Sequence, residues 1–197
     1  MKIIGVTGPS GAGKTTLCDL LKREYNVCVI DADNIARNLS SDSNTVYFQK
    51  IVELFGNDIL NAEGNLNRKK LASIIFEDEK KRKSLNNLTF KYVVEDIIKS
   101  INNLKNSNYD YIAIDVPLLY EAGMEKICDK VIAVIATDDE KISRICYRDN
   151  VTPLVAKQRL KIQNSNEFFA QKADFLIYND GTIENLVNVL KEIMNKI

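Results

Sequence analysis

The residues richest in chemistry are Gly8-Pro9-Ser10-Gly11-Ala12-Gly13-Lys14-Thr15, followed by Thr16. Glycine at positions 8 and 13 lets the backbone curl tightly and turn its N–H groups toward an anion, where a Cβ would obstruct the approach. Lys14 can reach the outer phosphates of a nucleotide, and the Thr15 hydroxyl suits a Mg2+ ion. A helix starting here aims its N–H groups and the positive end of its dipole at the same anion. The stretch from Gly8 to Thr16, with Ser10, Gly11, Ala12 and Gly13 inside it, is therefore a candidate cradle for a nucleoside triphosphate, a P-loop. The pattern fixes triphosphate binding but not the group that receives the phosphate.

The chain contains no histidine, so general-base work falls to a carboxylate or another side chain. Asp31 and Asp33 follow the apolar run Val27-Cys28-Val29-Ile30, and ligands of parallel α/β sheets sit beyond the carboxyl ends of strands. One of the two aspartates can instead cap the helix that follows, and strand alternation puts both on the same side. Asp115 closes the run Tyr111-Ile112-Ala113-Ile114, which suits either a Mg2+ shell or a hydrogen bond that fixes the next loop. Arg144 and Arg148 are four residues apart and project from one helix face. Such a pair is either solvated surface or, beside transferring phosphate, a source of positive charge on a mobile lid.

These residues need a frame to hold them. Five short apolar runs alternate with helical patterns: residues 3–6, 27–30, 111–116, 131–136 and 175–178, the last ended by Asn179-Asp180-Gly181. Continuous apolar strands are buried on both faces, which indicates a doubly wound parallel α/β sheet. Between the second and third runs the rhythm is broken by helical patterns. Residues 45–55 place Tyr47, Phe48, Ile51, Val52, Leu54 and Phe55 at helical spacing before Gly56, and 57–67 reads as a loop. Asn67 can cap a helix holding Leu71, Ile74 and Ile75, and a charged helical stretch runs on to Leu104, with Lys80-Lys81-Arg82-Lys83 as a solvated face. Thr137 to Glu140 matches a capping box, and Thr152-Pro153 a helix start. The last helix carries Ile183, Leu186, Val189, Leu190, Ile193 and Ile197 along one face.

Composition narrows the function classes. The 197 residues fit one domain, here read as 1–197 with a helical acceptor-binding region at about 42–107 and a lid at about 138–170. Lys plus Arg and Asp plus Glu each number 27, so no global basic field recruits nucleic acid or an anionic membrane. No apolar run approaches the roughly 20 residues needed to span a bilayer. The cysteines Cys18, Cys28, Cys128 and Cys146 form no metal-binding pair. The expectation is a reduced, cytoplasmic protein without an obligate protein partner.

The order of the motifs resembles the dephospho-coenzyme A kinase family, within the P-loop nucleoside and nucleotide kinases. The matching pieces are Gly8 to Thr16, Asp31-Ala32-Asp33 with Ala36-Arg37, Gly64-Asn65-Leu66-Asn67-Arg68, Leu71 with Ile75-Phe76, and Asp115-Val116-Pro117-Leu118-Leu119-Tyr120-Glu121-Ala122-Gly123. Arg144, Arg148-Asp149, Arg159 with Gln163, and Ala173-Asp174 through Asn179 and Gly181 complete the series. The resemblance implies a sheet in the order 2-3-1-4-5. It implies phosphorylation by ATP of the ribose 3′-hydroxyl of dephospho-coenzyme A, the final step of coenzyme A synthesis. Lys14 and the loop backbone would hold the ATP phosphates and Thr15 the Mg2+. Asp33 would orient or deprotonate the acceptor hydroxyl. Arg144 and Arg148 would touch phosphates from the lid, and Arg37 with Pro117, Leu118 and Leu119 would line the acceptor side.

The chain departs from the family pattern in three places. Phe90-Lys91 stands where His-Pro is common, leaving no histidine for an acceptor contact. Glu167-Phe168-Phe169 replaces Glu-Glu-Lys, removing a cation near the cleft. The P-loop carries Pro9, Ser10, Ala12 and Thr15 in place of Gly, Ile, Ser and Ser, which keeps its chemical requirements. A kinase for another nucleoside or small alcohol would use the same machinery. A non-catalytic ATP-binding regulator would need only the cradle, and Lys14, Thr15, Asp33, Arg144 and Arg148 together argue against it.

Overall fold

The computed structural model describes residues 1–179 and 181–197; Asp180, read above in the turn after the fifth apolar run, lies outside the described residues. Contacts divide the chain into two compact units, one made of Met1–Ile30 with Leu104–Ile197 and the other of Asp31–Asn103.

The first unit is built on β1 (Lys2–Thr7), which pairs in parallel with β3 (Tyr111–Asp115) on one side and β4 (Lys130–Ile135) on the other. β5 (Phe175–Tyr178) pairs in parallel with β4, and β2 (Val27–Asp31) lies beyond β3, giving the order 2-3-1-4-5. This is the order that the resemblance implies. The strand interiors are apolar, as expected where helices cover both faces of a parallel sheet. Leu17 and Leu21 of α1 (Lys14–Glu24), with Leu186, Leu190 and Ile193 of α9 (Ile183–Met194), are buried in one cluster with Ile4, Val6, Ile132, Val134 and Ile177. Each fully buried Leu or Ile contributes about 1.5–3 kcal/mol relative to exposure. The apolar stripe of α9 is narrower than its sequence implies, since Ile183 and Val189 are exposed. Three helices follow β4: α6 (Asp138–Asp149), α7 (Pro153–Lys161) and α8 (Asn166–Lys172). Thr137 and Thr152 cap the first two through their hydroxyls, which accept from Glu140 N and Val155 N, and Pro153 takes the favoured first position of α7.

The second unit is helical: α2 (Ala32–Leu39), α3 (Val46–Phe55), α4 (Arg68–Glu77) and α5 (Glu79–Leu104), the last reaching one residue past its boundary. Thr45 and Asn67 cap α3 and α4 as their types predict. Asp78 ends α4 and restarts the chain as α5, its carboxylate accepting from Lys81 N at 3.0 Å. Lys80, Lys81 and Lys83 are exposed, in keeping with a solvated face. Residues 57–67 are more structured than a loop. Asn57–Ile59 forms a short 3₁₀ turn, Leu60 bridges Leu66, and fully buried Ile59 joins Tyr47, Ile51 and Leu71 in the unit's core. Ile59 and half-buried Leu60 form a lone apolar pair among polar residues, too short to carry a periodicity, so this burial escapes a pattern reading. Among the described residues no helix is long and apolar enough to cross a membrane.

Candidate active site

The P-loop takes its shape from three glycines at positive φ: Gly8 (137°), Gly11 (78°) and Gly13 (106°). Each also lies close against a neighbour, backbone at Gly8 and Gly11 and a side chain at Gly13. A Cβ on Gly8 would lie 2.1 Å from the Val134 carbonyl oxygen of β4, one on Gly11 2.6 Å from the Lys141 carbonyl oxygen, and one on Gly13 2.0 Å from Asn179 Nδ2. Gly13 also occupies the N-cap of α1 and brings no side chain to cap it, so first-turn N–H groups are offered to an anion. Lys14 Nζ donates to the carbonyls of Gly8 (2.8 Å) and Pro9 (3.1 Å), folding the ammonium back along the loop. Thr15 and Thr16 are exposed on the first turn of α1, and Ala12 is buried.

The loop is braced from a distance in sequence. Arg144 Nη1 donates to the carbonyls of Gly11 (3.2 Å) and Ala12 (3.3 Å), while its Nη2 donates to Asn179 O (2.8 Å) and Glu140 (3.4 Å). Asn179 Nδ2 donates to Ala12 O at 2.7 Å. Arg148 behaves differently. Its Nη2 reaches Ser10 Oγ at 3.4 Å, and Nε and Nη2 together grip Asp149 at 2.8 and 3.0 Å. Gln163 Oε1 accepts from Ser10 N at 2.9 Å. The two arginines predicted from helical spacing thus meet the P-loop in different ways, one at its carbonyls and one at its serine. Asn179 and Gln163 have no role in the sequence beyond their match to the family pattern, because contacts spanning 167 and 153 residues leave no local signal.

Asp115 ends β3 directly beside Val6 in the β1 register, two residues before Gly8. It accepts a hydrogen bond from the buried Cys18 thiol, whose pKa is raised first by burial and then by the Asp115 charge. In the following loop Pro117 O accepts from Thr7 Oγ1 at 3.2 Å, and Pro117 and Leu118 are half-buried. Leu119, expected to line the acceptor side, is instead fully buried, and its Cδ1 would lie 3.3 Å from a Cβ placed on Gly5. Leu119 shapes the loop from the core. Tyr120 stacks edge-on with Phe168, and Phe169 is buried against Ala133 and Ile135. Burial pushes the Tyr120 phenol up to about 12. The cation lost at position 169 has a neighbour of the same sign: Lys172 Nζ lies 5.3 Å from the Phe168 ring centre and 5.5 Å from that of Tyr120.

In the second unit the two aspartates separate. β2 stops at Asp31 and α2 begins at Ala32, so strand alternation does not extend to Asp33. Asp31 is the N-cap, accepting from Asn34 N at 2.9 Å, while Asp33 is exposed in the first turn of α2. Arg37 is exposed in the last turn. Its carbonyl accepts from Arg68 Nη2 at 3.0 Å, and the same nitrogen donates to Ser40 Oγ and Ser41 Oγ at 2.7 and 3.2 Å. Burial, then the Arg37 charge, lowers the pKa of Arg68.

A phosphate cradle carrying a lysine, a carboxylate beside it and guanidinium groups around it are the parts of phosphoryl transfer. Comparison with known proteins agrees. The family model described as dephospho-CoA kinase matches residues 2–185. A dephospho-CoA kinase of Carboxydothermus hydrogenoformans is 34% identical over 196 residues, covering 100% of this chain and 94% of the relative. One from Fusobacterium nucleatum is 38% identical over 185 residues, covering 93% and 92%. Among solved structures, a dephospho-CoA kinase from Campylobacter jejuni superposes with a TM-score of 0.68 at 27% identity, covering 98% of this chain and 96% of the other. A crystal structure of a Thermus thermophilus protein gives 0.82 at 26% identity, covering 100% and 97%. This chain belongs to the dephospho-CoA kinase family, which uses ATP to phosphorylate dephospho-CoA to coenzyme A in coenzyme A biosynthesis.

Proposed function

We propose that Lys14, Asp33 and Arg148 carry the transfer of the ATP γ-phosphoryl group to the ribose 3′-hydroxyl of dephospho-CoA, with Arg144 holding the loop on which it happens. In-line transfer needs positioning and charge stabilisation more than covalent help. Lys14 and the N–H groups from Gly13 to Thr16 at the start of α1 would take the phosphates. The single observation that carries this reading is the seating of Lys14 Nζ on the Gly8 and Pro9 carbonyls inside a loop with three positive-φ glycines. Arg148, joined to Ser10, would stabilise charge as it spreads over the moving group. The family resemblance gives Asp33 the acceptor hydroxyl, and Asp31, which caps α2, is the less suited of the pair. Arg37, Pro117 and Leu118 would contact the rest of the acceptor, and Leu119 would act through the shape of its loop.

A Mg2+ ion fits the donor set, since the Thr15 hydroxyl and the Asp115 carboxylate are hard oxygen donors and Mg2+ fills its remaining positions with phosphate and water. When bound, it would neutralise charge on the β- and γ-phosphate oxygens. The lid at about 138–170 would exclude water that otherwise hydrolyses ATP. The compartment is read as the cytoplasm, in keeping with four free thiols.

Product mass analysis after incubation with Mg2+, ATP and dephospho-CoA is the test, with a no-acceptor control and a nucleoside panel. Coenzyme A formed only in the complete mixture supports the reading. A phosphorylated panel member in its place would mean a different acceptor, and ATP binding without any product would mean a regulator. Asp33→Asn, which removes the charge and keeps the shape, should leave ATP affinity within about twofold and lower kcat by roughly 10²- to 10⁴-fold. Lost ATP affinity with normal turnover at saturation would make Asp33 structural.

A further inference from the structure

The carboxylate that closes α6 stands between two lid arginines. Asp149 is the last residue of the helix, and Asn150 at φ 50° turns the chain toward α7. Its Oδ1 accepts from Arg148 Nε at 2.8 Å, and its Oδ2 accepts from both Arg148 Nη2 (3.0 Å) and Arg159 Nη1 of α7 (2.5 Å). One carboxylate thus holds guanidinium groups from two helices. The Arg148 side chain is 59% exposed, and without a partner an exposed arginine samples many rotamers. Arg159 Nε is buried and has no hydrogen-bond partner among the described residues, so that guanidinium has a donor in reserve. The two cations would repel one another without the charge between them. Hydrogen bonding to Arg148 holds the Asp149 carboxyl below the usual carboxylate range, so the charge persists at neutral pH.

We propose that Asp149 is a positioning residue for phosphoryl transfer: it holds Arg148 at Ser10 of the P-loop and binds Arg159 to the same point, making one preorganised pair of cations. The inference rests on the reading of Arg148 as a cation at the transferring group. Asp149 itself touches no reacting atom; its effect is to fix where positive charge stands when the phosphoryl group moves, and misplacement on the scale of an ångström costs about a hundredfold in rate.

The test is steady-state kinetics and thermal melting of Asp149→Asn in two backgrounds, wild type and Arg148→Ala/Arg159→Ala. In the wild-type background Asp149→Asn should lower kcat roughly 10- to 100-fold, with KM for dephospho-CoA changed less than about threefold and the melt still cooperative. In the double variant, already slow, the same change should cost less than about twofold, because the groups it acts through are gone. Asp149→Ser is judged by the same criteria if Asp149→Asn is unstable. Wild-type turnover of Asp149→Asn, an equal fold loss in both backgrounds, or a rise in kcat would each overturn the positioning role. A double variant that turns over like wild type would instead overturn the reading of Arg148. The two failures are therefore separable.

Discussion

Lys14→Ala should lower kcat by roughly a hundred- to a thousandfold, the scale of removing one preorganised donor from a site where charge develops, or about 3–4 kcal/mol of barrier. The expectation follows from where the ammonium stands. Its bonds to the Gly8 and Pro9 carbonyls hold it along the same loop whose N–H groups face the anion, so it can exchange a carbonyl for a phosphate oxygen by rotating its end. The side chain is half-buried, which limits screening by solvent. Lys14→Arg should not rescue, because a planar fork cannot take the place of a compact ammonium inside a tight loop. The variant's melting temperature should stay within a few degrees of wild type, since the helix behind it is held by Leu17 and Leu21. Initial rates with saturating ATP and dephospho-CoA, alongside ATP binding by calorimetry, give the answer. Turnover within tenfold of wild type would sink the assignment of this loop as the phosphate cradle.

What could be read from the sequence was mostly what local chemistry decides. The Gly8, Gly13 and Lys14 spacing, the caps at Asn67 and Thr137, and Pro153 at the head of α7 each follow from forces acting within a turn or two of the chain. Continuous apolar runs gave the parallel sheet, but the order of its strands came through the family resemblance. Local rules also failed where one of them met a neighbour. Asp31 and Asp33 looked alike as strand-end acids, and only the onset of α2 at Ala32 assigns the first to the backbone and leaves the second exposed.

The rest was illegible because it depends on chain closure. Nothing near Asn179 or Gln163 in sequence points to Ala12 or Ser10; parallel pairing of β4 with β5 and the packing of α6 and α7 bring them there. The burial of Leu119 and Ile59 escapes a pattern reading for a related reason. Each sits in a short connecting segment beside a second apolar residue, Leu118 or Leu60, that is only half-buried, so no period marks which of the two is enclosed. The burial of Phe169 is likewise invisible locally, since its surroundings, Ala133, Ile135 and Tyr120, come from two other segments.

A change of a single methyl group should be as damaging as the loss of the lysine. Gly8→Ala places a Cβ 2.1 Å from the Val134 carbonyl oxygen and within about 3.2 Å of Val134 N, both backbone atoms of β4 that no rotamer change can move. The positive φ of 137° adds strain of its own. Together the two effects should cost about 2–5 kcal/mol, the sum of a left-handed residue and an overpacked contact. For a chain of this size that is a fall in melting temperature on the order of 10 °C or more. Turnover should fall with it, because loop and strand can separate only by moving the cradle. Gly64→Ala supplies the comparison that separates the two causes. Gly64 also has positive φ, 78°, but nothing lies within 4 Å of its Cβ position, so only the conformational cost of about 1–2 kcal/mol applies. It should melt a few degrees early and keep its kcat. Gly13→Ala is intermediate in kind: its obstacle is the Asn179 side chain, which can rotate away, but only by giving up its bond to Ala12 O. Activity should therefore suffer more than stability. Calorimetric scans and initial rates of the three variants check this ordering. If Gly8→Ala melted no earlier than Gly64→Ala and turned over normally, the close approach of the loop to β4 would be wrong, and with it the steric reason for glycine at the head of the cradle.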